Sequence, residues 1–245
     1  MDKGRKVVAG VQARMGSSRL PGKVLKPLAK RPVLWHILQR LERAKYLDEV
    51  VVATGEGRGD DEIAGFLEWL QPEGVRLFRG SEEDVLERFY LAVRRSHPDL
   101  VVRVTGDTPL LCTEHLDQMV KHVVETGCDG ADAHHEATGL TLGFGSEVYS
   151  HQALVEAHLL AREPREREHV SLFIKERPEL YDISYLQPEP ELCSKYRLTL
   201  DTEEDYQRLD RLYRLFYRPG EVVDCRTVLT WLRKEEPGQP GRLGL

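Results

Sequence analysis

The fold of this chain is organised around one stretch near its beginning, Lys6-Val7-Val8-Ala9-Gly10-Val11-Gln12-Ala13-Arg14-Met15-Gly16-Ser17-Ser18-Arg19-Leu20-Pro21-Gly22-Lys23. Its first six residues form an apolar strand candidate, and the rest hold two glycines, two serines, three cations and no acid. Glycines turn tightly and expose N–H groups that cradle phosphate oxygens, while arginine and lysine bind phosphate through charge. A solvated basic loop is the alternative. The position of this stretch after the first strand favours a binding loop for a nucleoside triphosphate, because open sheets bind ligands at the carboxyl ends of their strands.

Strand and helix patterns alternate through the first half of the chain. Apolar, β-branched runs predict further buried strands at 49–54, 75–79 and 100–105. Apolar residues at helical spacing predict helices at 33–41, 60–70, 85–93 and 113–123. Such strand–helix units indicate βαβ crossovers and a mainly parallel sheet with helices on both faces. The length of 245 residues fits one domain over 1–245.

The second half of the chain is less regular. Short strands are predicted at 130–136 and 146–150 around a glycine-rich loop, then helices at 151–162 and 165–176, and strands at 182–186 and 195–200. A capping-box pattern at Thr202 opens one more predicted helix. The end of the chain, 235–245, is predicted to be a loose tail.

Charge and cysteine usage narrow the function classes. A net charge of −6 argues against a nucleic-acid partner, because such proteins usually carry a basic footprint. The four cysteines form no Cys-x-x-Cys pair, which favours reduced thiols in a cytosol over disulfides or a zinc site. The chain shows no apolar signal core and no run of membrane-spanning length. We therefore expect a cytoplasmic protein with no membrane partner.

Acidic residues stand where two predicted strands end. Asp107 follows the strand at 100–105 in the turn Gly106-Asp107-Thr108-Pro109, and Asp201 follows the strand at 195–200. A carboxylate at such a point can hold a divalent cation beside triphosphate oxygens, although a turn or capping role is the alternative. Arg103 interrupts an apolar strand, so its charge must lie near an anion. It forms either a structural ion pair or a phosphate contact.

These motifs together resemble one family. The run Gln12 to Lys23 is similar to the signature loop of the sugar-acid cytidylyltransferases, which include the acylneuraminate and KDO enzymes, and above all to that of the SpsF-like spore-coat polysaccharide proteins. The Gly-Asp-x-Pro turn at Asp107 and the Leu-Asp-Thr-x-x-Asp run at Asp201 follow in the family's order. The resemblance covers about residues 6–217, and Asp201 resembles the family's second metal-binding aspartate.

The resemblance implies a fold and a reaction. The expected fold is a three-layer αβα, Rossmann-like nucleotide-diphospho-sugar transferase domain, with a small β extension from the second half that supports a homodimer. The expected reaction transfers CMP from CTP to a sugar acid and releases pyrophosphate. Mg²⁺ would be held by Asp107 and Asp201, while Arg14, Arg19 and Lys23 would stabilise the pyrophosphate. With Asp107, these three cations are the predicted catalytic residues.

The nucleotide is expected to contact the loop and several strand ends. The predicted nucleotide-binding residues are Gln12, Ala13, Arg14, Gly16, Ser17, Arg19, Lys23, Thr54, Gly80, Ser81, Arg103 and Asp107. A plain helix start is the alternative for Gly80 and Ser81, and a buried strand end is the alternative for Thr54.

The acceptor sugar is expected beside Gly143-Phe144-Gly145-Ser146-Glu147-Val148, where this family binds it. Glu147 would accept hydrogen bonds from sugar hydroxyls or help to deprotonate the attacking one. SpsF-like relatives usually read Gly-Leu-Asp-Val-Glu-Val here, so the residues before Glu147 depart from the pattern. Arg167 and His169 are the other predicted sugar-binding residues. For them a structural helix face, or for His169 a dimer seam, is the alternative.

Other functions stay open at this point. One alternative is another nucleotidyltransferase or a glycosyltransferase on the same fold, although the sequence lacks the Asp-x-Asp motif of many metal-dependent glycosyltransferases. The other is a non-catalytic nucleotide-binding protein of polysaccharide assembly. It would bind nucleotide without releasing pyrophosphate.

Overall fold

A computed structural model describes residues 4–236 and contains a seven-stranded, mostly parallel sheet. The strands of the chain are β1 (Val7–Gln12), β2 (Pro27–Leu28), β3 (Arg31–Pro32), β4 (Glu49–Gly55), β5 (Val75–Gly80), β6 (Leu100–Thr105), β7 (Gly130–Asp132), β8 (Glu147–Ser150) and β9 (Ile183–Ser184). The sheet has the order β5-β4-β1-β6-β8-β7-β9, and β2 and β3 form a separate two-stranded ribbon. Within the seven-stranded sheet of the described residues, β8 runs antiparallel to both of its neighbours, β6 and β7. The expected mainly parallel α/β sheet is confirmed.

Helices cover both faces of the sheet. They are α1 (Val33–Leu41), α2 (Asp61–Leu70), α3 (Val85–Arg94), α4 (Thr113–Thr126), α5 (His135–Thr138), α6 (His151–Leu160), α7 (Pro164–Glu168), α8 (Leu172–Lys175), α9 (Glu203–Phe216) and α10 (Cys225–Glu235). Among the described residues, no helix is both long and apolar enough to span a membrane.

The alternation of side chains along β1 separates two apolar cores. Val7, Ala9 and Val11 pack with residues of α1, α4, α9 and α10 on one face. Val8 packs with residues of α3, α6 and α8 on the other face. Gly10 points to that second face, where a Cβ would lie 2.4 Å from Phe89 of α3, so the helix requires a glycine there. Two packed helical faces give the expected three-layer αβα arrangement.

The second half of the chain departs from the predicted elements. The segment 195–200 is not a regular strand, because its N–H groups bond to loops: Leu198 donates to Leu142 and Leu200 donates to Asp107. The predicted strand 130–136 stops at Asp132, and α5 begins three residues later. The predicted strand 182–186 shortens to β9, which pairs with β7. The short strands β7, β8 and β9 therefore extend the main sheet at one edge.

Two predicted helical regions also differ. The helix expected at 165–176 is split into α7 and α8, because His169 leaves the helical conformation (φ −105°, ψ 88°). Near the end of the chain, α10 was not predicted. Asp224 caps it by accepting from the N–H of Thr227 at 2.7 Å, and Val228, Leu229 and Leu232 bury its apolar face. Glu235 is the last residue of α10, and residues 237–245 of the expected tail lie outside the described range.

Candidate active site

A cavity of about 350 Å³ lies where β1 and β6 end. We call it the loop cavity, because the 14–23 loop forms one wall of it. Many of the predicted site residues line it: Gln12, Ala13, Arg14, Ser17, Arg19, Lys23, Arg103, Asp107, His169 and Asp201. The structure thus brings together residues that are far apart in the sequence. Arg88 and Glu168 also line it, and neither was predicted.

The centre of the loop cavity is an ammonium group between two carboxylates. Lys23 Nζ donates to Asp107 Oδ2 at 2.8 Å and to Asp201 Oδ1 at 3.0 Å. Arg19 Nη2 donates to the same Asp201 oxygen at 3.1 Å. Lys23 can reach both acids because Gly22 before it adopts a left-handed conformation (φ 68°) and starts a short 3₁₀ turn. The three sequence motifs therefore meet at one point.

Asp201 is held ionised by its surroundings. Burial raises the pKa of this carboxyl, but the charges of Lys23, Arg197 and Arg19 outweigh burial and lower the pKa below its usual value. Arg197 contacts the second Asp201 oxygen. The predicted capping box is confirmed, because Thr202 accepts from the N–H of Asp205 at 3.2 Å while Asp205 accepts from the N–H of Thr202 at 2.9 Å. A fixed helix start therefore presents a charged carboxylate to the cavity.

The carboxylate pair is suited to a divalent cation. Its oxygens converge on a single positive group, Lys23 Nζ, within 3.0 Å. Within residues 4–236 no set of three or more acidic, histidine or cysteine side chains is placed to hold a metal. One or two carboxylates completed by phosphate oxygens and water are what Mg²⁺ usually takes in nucleotide sites. The donor set present fits such an ion if Lys23 gives up the two carboxylates.

The 14–23 loop is anchored by an acid that sequence reasoning missed. Asp60 Oδ1 accepts from the N–H of Met15 at 2.7 Å, and Asp60 Oδ2 accepts from the N–H of Gly55 at 2.7 Å. In the sequence this residue is recognisable only as the first residue of the predicted helix at 60–70. On the other side of the loop, the N–H of Gly106 donates to Gln12 at 2.8 Å. Hydrogen bonds at Gln12 and Met15 thus fix the start of the loop.

A second cavity, the outer cavity, adjoins the first. It is lined by Arg14, Gly16, Gly55, Gly59, Asp60, Glu82, Glu83, Val85, Arg88, Pro164 and Glu168. Arg14 and Arg88 line both cavities. Gly16, a predicted nucleotide contact, lies on this outer side of the loop.

Three predicted nucleotide contacts line neither cavity. Thr54 is fully buried, and its hydroxyl has no hydrogen-bond partner within the described chain. Ser81 is occupied locally, because its hydroxyl accepts from the N–H of Asp84 at 3.0 Å. Gly80 leaves room for other side chains, since a Cβ there would lie 2.8 Å from Phe78 and 3.3 Å from Arg88. The geometry therefore favours the structural alternatives for these three residues.

The segment 143–148, where the acceptor sugar is expected, lines a third cavity of about 180 Å³, which we call the Glu147 cavity. Its floor carries a row of charges at matched register, Arg103 on β6, Glu147 on β8 and Asp132 on β7. Arg103 donates to Glu147 at 2.9 Å and to Gln12 at 2.6 Å. Lys175 of α8 donates to Glu147 at 2.9 Å and lies 3.0 Å from Asp132. Arg103 thus forms an ion pair, one of its two predicted roles, and it also lines both the loop cavity and the Glu147 cavity.

The pKa values in this row assign different properties to its two acids. Burial raises the pKa of Glu147, but Arg103 and Lys175 outweigh burial and lower it to about 2. Burial and the neighbouring Glu147 charge raise the pKa of Asp132. A carboxylate with so low a pKa is a poor proton acceptor near neutral pH. Glu147 is therefore suited to accepting hydrogen bonds and not to removing a proton.

The other two predicted sugar contacts lie away from the Glu147 cavity. Arg167 donates twice to Asp84 Oδ2, at 2.9 and 2.5 Å, and once to the carbonyl of His158 at 2.8 Å. These bonds tie α7 to the start of α3. His169 lies in the loop cavity instead. The structure does not bring either residue beside Glu147.

The fold and the site together define a class of protein. A mostly parallel αβα sheet, a cationic loop after its first strand and the carboxylates of Asp107 and Asp201 in one cavity are features of a nucleotidyltransferase. Residues 8–223 match the cytidylyltransferase family, and the chain belongs to that family.

Known relatives agree with this assignment. The spore coat polysaccharide biosynthesis protein SpsF of Bacillus subtilis is 36% identical over 87% of this chain and 88% of its own length. The structure of a cytidylyltransferase from Leptospira borgpetersenii is 31% identical, with a TM-score of 0.85 over 98% of this chain and 99% of that one. A CMP:2-keto-3-deoxy-manno-octonic acid synthetase complexed with CTP is 17% identical, with a TM-score of 0.64 over 86% and 99%. That last likeness shows the fold alone.

Proposed function

We propose that this protein transfers CMP from CTP to the anomeric hydroxyl of a sugar acid, with release of pyrophosphate, in the synthesis of a cell-surface polysaccharide. The observation that carries the proposal is the position of Lys23 between Asp107 and Asp201 at 2.8 and 3.0 Å. One cation between two acids forms a site whose groups can exchange partners when a triphosphate and its metal bind. The match of residues 8–223 to the cytidylyltransferase family supports the choice of nucleotide.

The residues of the loop cavity would have different roles in the transfer. Asp107 and Asp201 would hold Mg²⁺, which supplies charge neutralisation at the triphosphate when bound. Arg14, Arg19 and Lys23 would bind the oxygens of the leaving pyrophosphate, where negative charge develops. Phosphoryl-type transfers depend on positioning and charge stabilisation more than on covalent catalysis. The anchored loop satisfies that need.

The acceptor sugar would occupy the Glu147 cavity. Glu147 stays ionised and would accept hydrogen bonds from sugar hydroxyls, which orients the anomeric hydroxyl for in-line attack on the α-phosphorus. Ser146 and Thr199 also line this cavity, and their hydroxyl oxygens are buried without a hydrogen-bond partner within the described chain. Arg103 lies between the two cavities and would face both substrates.

The decisive experiment measures pyrophosphate release with Mg²⁺ for CTP, UTP, GTP and ATP across a panel of sugar acids. We expect release with CTP and at least one sugar acid. Release with another nucleotide alone would refute the cytidylyl assignment. Thermal stabilisation by CTP without release in any mixture would identify a nucleotide-binding protein of polysaccharide assembly, because a ligand stabilises the state that it binds. Stabilisation by nucleotide sugars alone would identify a glycosyltransferase.

A further inference from the structure

The cations around the loop cavity differ in whether a carboxylate already neutralises them. Arg19 and Lys23 contact Asp201, and Arg103 contacts Glu147. Within residues 4–236, neither Arg14 nor Arg88 forms an ion pair with a carboxylate. Their positive charge is therefore available to a ligand without the loss of an existing ion pair.

Arg88 is unusual because it is both buried and charged. It lies in the first turn of α3 and is only 2% exposed. Its Nη1 donates to the carbonyl of Ser81 and, at 3.4 Å, to that of Glu82. Its Nε is buried with no hydrogen-bond partner within the described chain. A buried guanidinium without an anionic partner is costly, so its presence beside two cavities requires an explanation.

The surroundings of Arg88 increase that cost. Burial lowers the pKa of this guanidinium, and the nearby charge of Arg14 lowers it further. The acids Asp60, Glu82 and Asp84 raise the pKa but do not restore it. Both arginines line the loop cavity and the outer cavity. An anion bound between Arg14 and Arg88 would relieve this repulsion.

We propose that Arg88 contacts the substrate directly and, together with Arg14, binds a phosphate group of the nucleoside triphosphate. This inference rests on the proposed function, because it assumes that a nucleotide occupies the loop cavity. It adds a second cationic pair to the site. Arg19 and Lys23 exchange carboxylates for phosphates, whereas Arg14 and Arg88 hold their charge ready before the nucleotide arrives.

A purely structural role is the competing explanation. Arg88 would then serve only to hold the turn at Ser81 through its carbonyl contacts. The two explanations differ in what they require from the side chain: a phosphate contact needs its charge, whereas the turn needs only a hydrogen-bond donor. Substitutions that separate charge from donor capacity therefore distinguish them.

The test compares Arg88→Met, Arg88→Gln and Arg88→Lys by calorimetric titration with CTP and with inorganic triphosphate, beside thermal unfolding. A charged hydrogen bond contributes enough that we expect Arg88→Gln and Arg88→Met to weaken both ligands by about 10- to 100-fold. Arg88→Lys keeps the charge, so it should bind more tightly than either. If Arg88→Met does not fold, the comparison of Gln with Lys still decides.

Arg79→Met is the matched control. Arg79 also donates to loop carbonyls, Gly55 at 3.1 Å and Gly57 at 2.8 Å, but it lines neither cavity. We expect the Kd of this variant for CTP to stay within about threefold of the wild-type Kd, which is less than the loss of one hydrogen bond would cause. Wild-type affinity in Arg88→Gln would overturn the inference and leave the proposed function intact. A wild-type protein that binds no CTP would overturn both.

Discussion

The loop cavity and the Glu147 cavity lie side by side near the end of β6, but their charged side chains are paired differently. In the loop cavity the charges are unevenly paired: Asp107 and Asp201 share Lys23, while Arg14 and Arg88 have no carboxylate partner within the described chain. In the Glu147 cavity each charge is matched. Arg103 and Lys175 neutralise Glu147 and Asp132 in a buried row.

This difference indicates what each cavity can receive. A highly charged ligand needs a site whose ion pairs can open, and the loop cavity has such pairs at its centre. A sugar acid offers mainly hydroxyls beside one carboxylate, and hydroxyls bind well to fixed polar and charged groups whose charge is already balanced. The charges of the loop cavity thus suit an activated phosphate, and those of the Glu147 cavity suit a polyhydroxyl acceptor. Substitutions that disturb one cavity should leave the other substrate largely unaffected.

The largest effect should follow from Asp107→Asn or Asp201→Asn. Either substitution removes one of the two carboxylates that converge on Lys23 and that would hold the metal. We expect metal-dependent pyrophosphate release to be abolished, whereas thermal unfolding stays cooperative. The measurement is pyrophosphate release against Mg²⁺ concentration. Unchanged metal dependence in both variants would remove these acids from the metal site.

Lys23→Ala should reduce turnover by about 10²-fold or more, the usual cost of losing one group that stabilises transition-state charge. Lys26→Ala is the control, because Lys26 belongs to the same segment but contacts Glu203 at 3.6 Å and the ring of Tyr206. It should remain near wild type. Turnover of Lys23→Ala close to that of Lys26→Ala would exclude Lys23 from the mechanism.

A smaller effect on turnover, but a clear one on stability, is expected from Glu147→Gln. Breaking one side of a buried ion pair costs about 3 kcal/mol in the free energy of unfolding. Because folding lowers the pKa of Glu147 to about 2, its contribution is present above its ordinary value of 4.5 and is lost as pH falls through 2. The stability of the variant should therefore lose this part of its dependence on acid pH. The substitution should also raise the KM for the sugar more than the KM for CTP. A selective loss of CTP affinity would contradict the division between the cavities.

Much of the fold could be predicted because local patterns and global topology agree in the first half. The runs that became β1, β4 and β6 are largely buried and mostly apolar, which makes them recognisable as strands, whereas β5 is only half-buried. In contrast, the backbone of 195–200 bonds to loops at Leu142 and Asp107 that come from distant parts of the chain. An extended apolar run alone does not reveal such partners. The helix α10 lies outside the motifs that carry the resemblance, although Asp224 caps it and Val228, Leu229 and Leu232 form an apolar stripe.

The site was predictable where chemistry is concentrated in short motifs. Lys23, Asp107 and Asp201 each stand in a recognisable run, and the fold brings the three side chains together. Arg88 and Lys175 stand in ordinary helical sequence, so their roles depend on which strand the helix covers. A signal for Arg88 existed, since it interrupts the buried face that contains Val85 and Phe89. No such sequence signal marks Asp60, because an acid at a helix start is common.

The smallest effect should come from Arg167, which tests whether the link between α7 and α3 is structural. Arg167 donates to one oxygen of Asp84 at 2.9 and 2.5 Å, while the other caps α3 by accepting from the N–H of Glu87 at 2.8 Å. Both side chains are mostly buried, so Arg167→Met should lower the free energy of unfolding by about 1–2 kcal/mol. Urea unfolding of Arg167→Met, Asp84→Ala and the double variant should give a coupling energy near 1 kcal/mol. KM for both substrates should stay close to wild type. Zero coupling with a raised KM for the sugar would instead place Arg167 in the acceptor site and would weaken the separation of the two cavities.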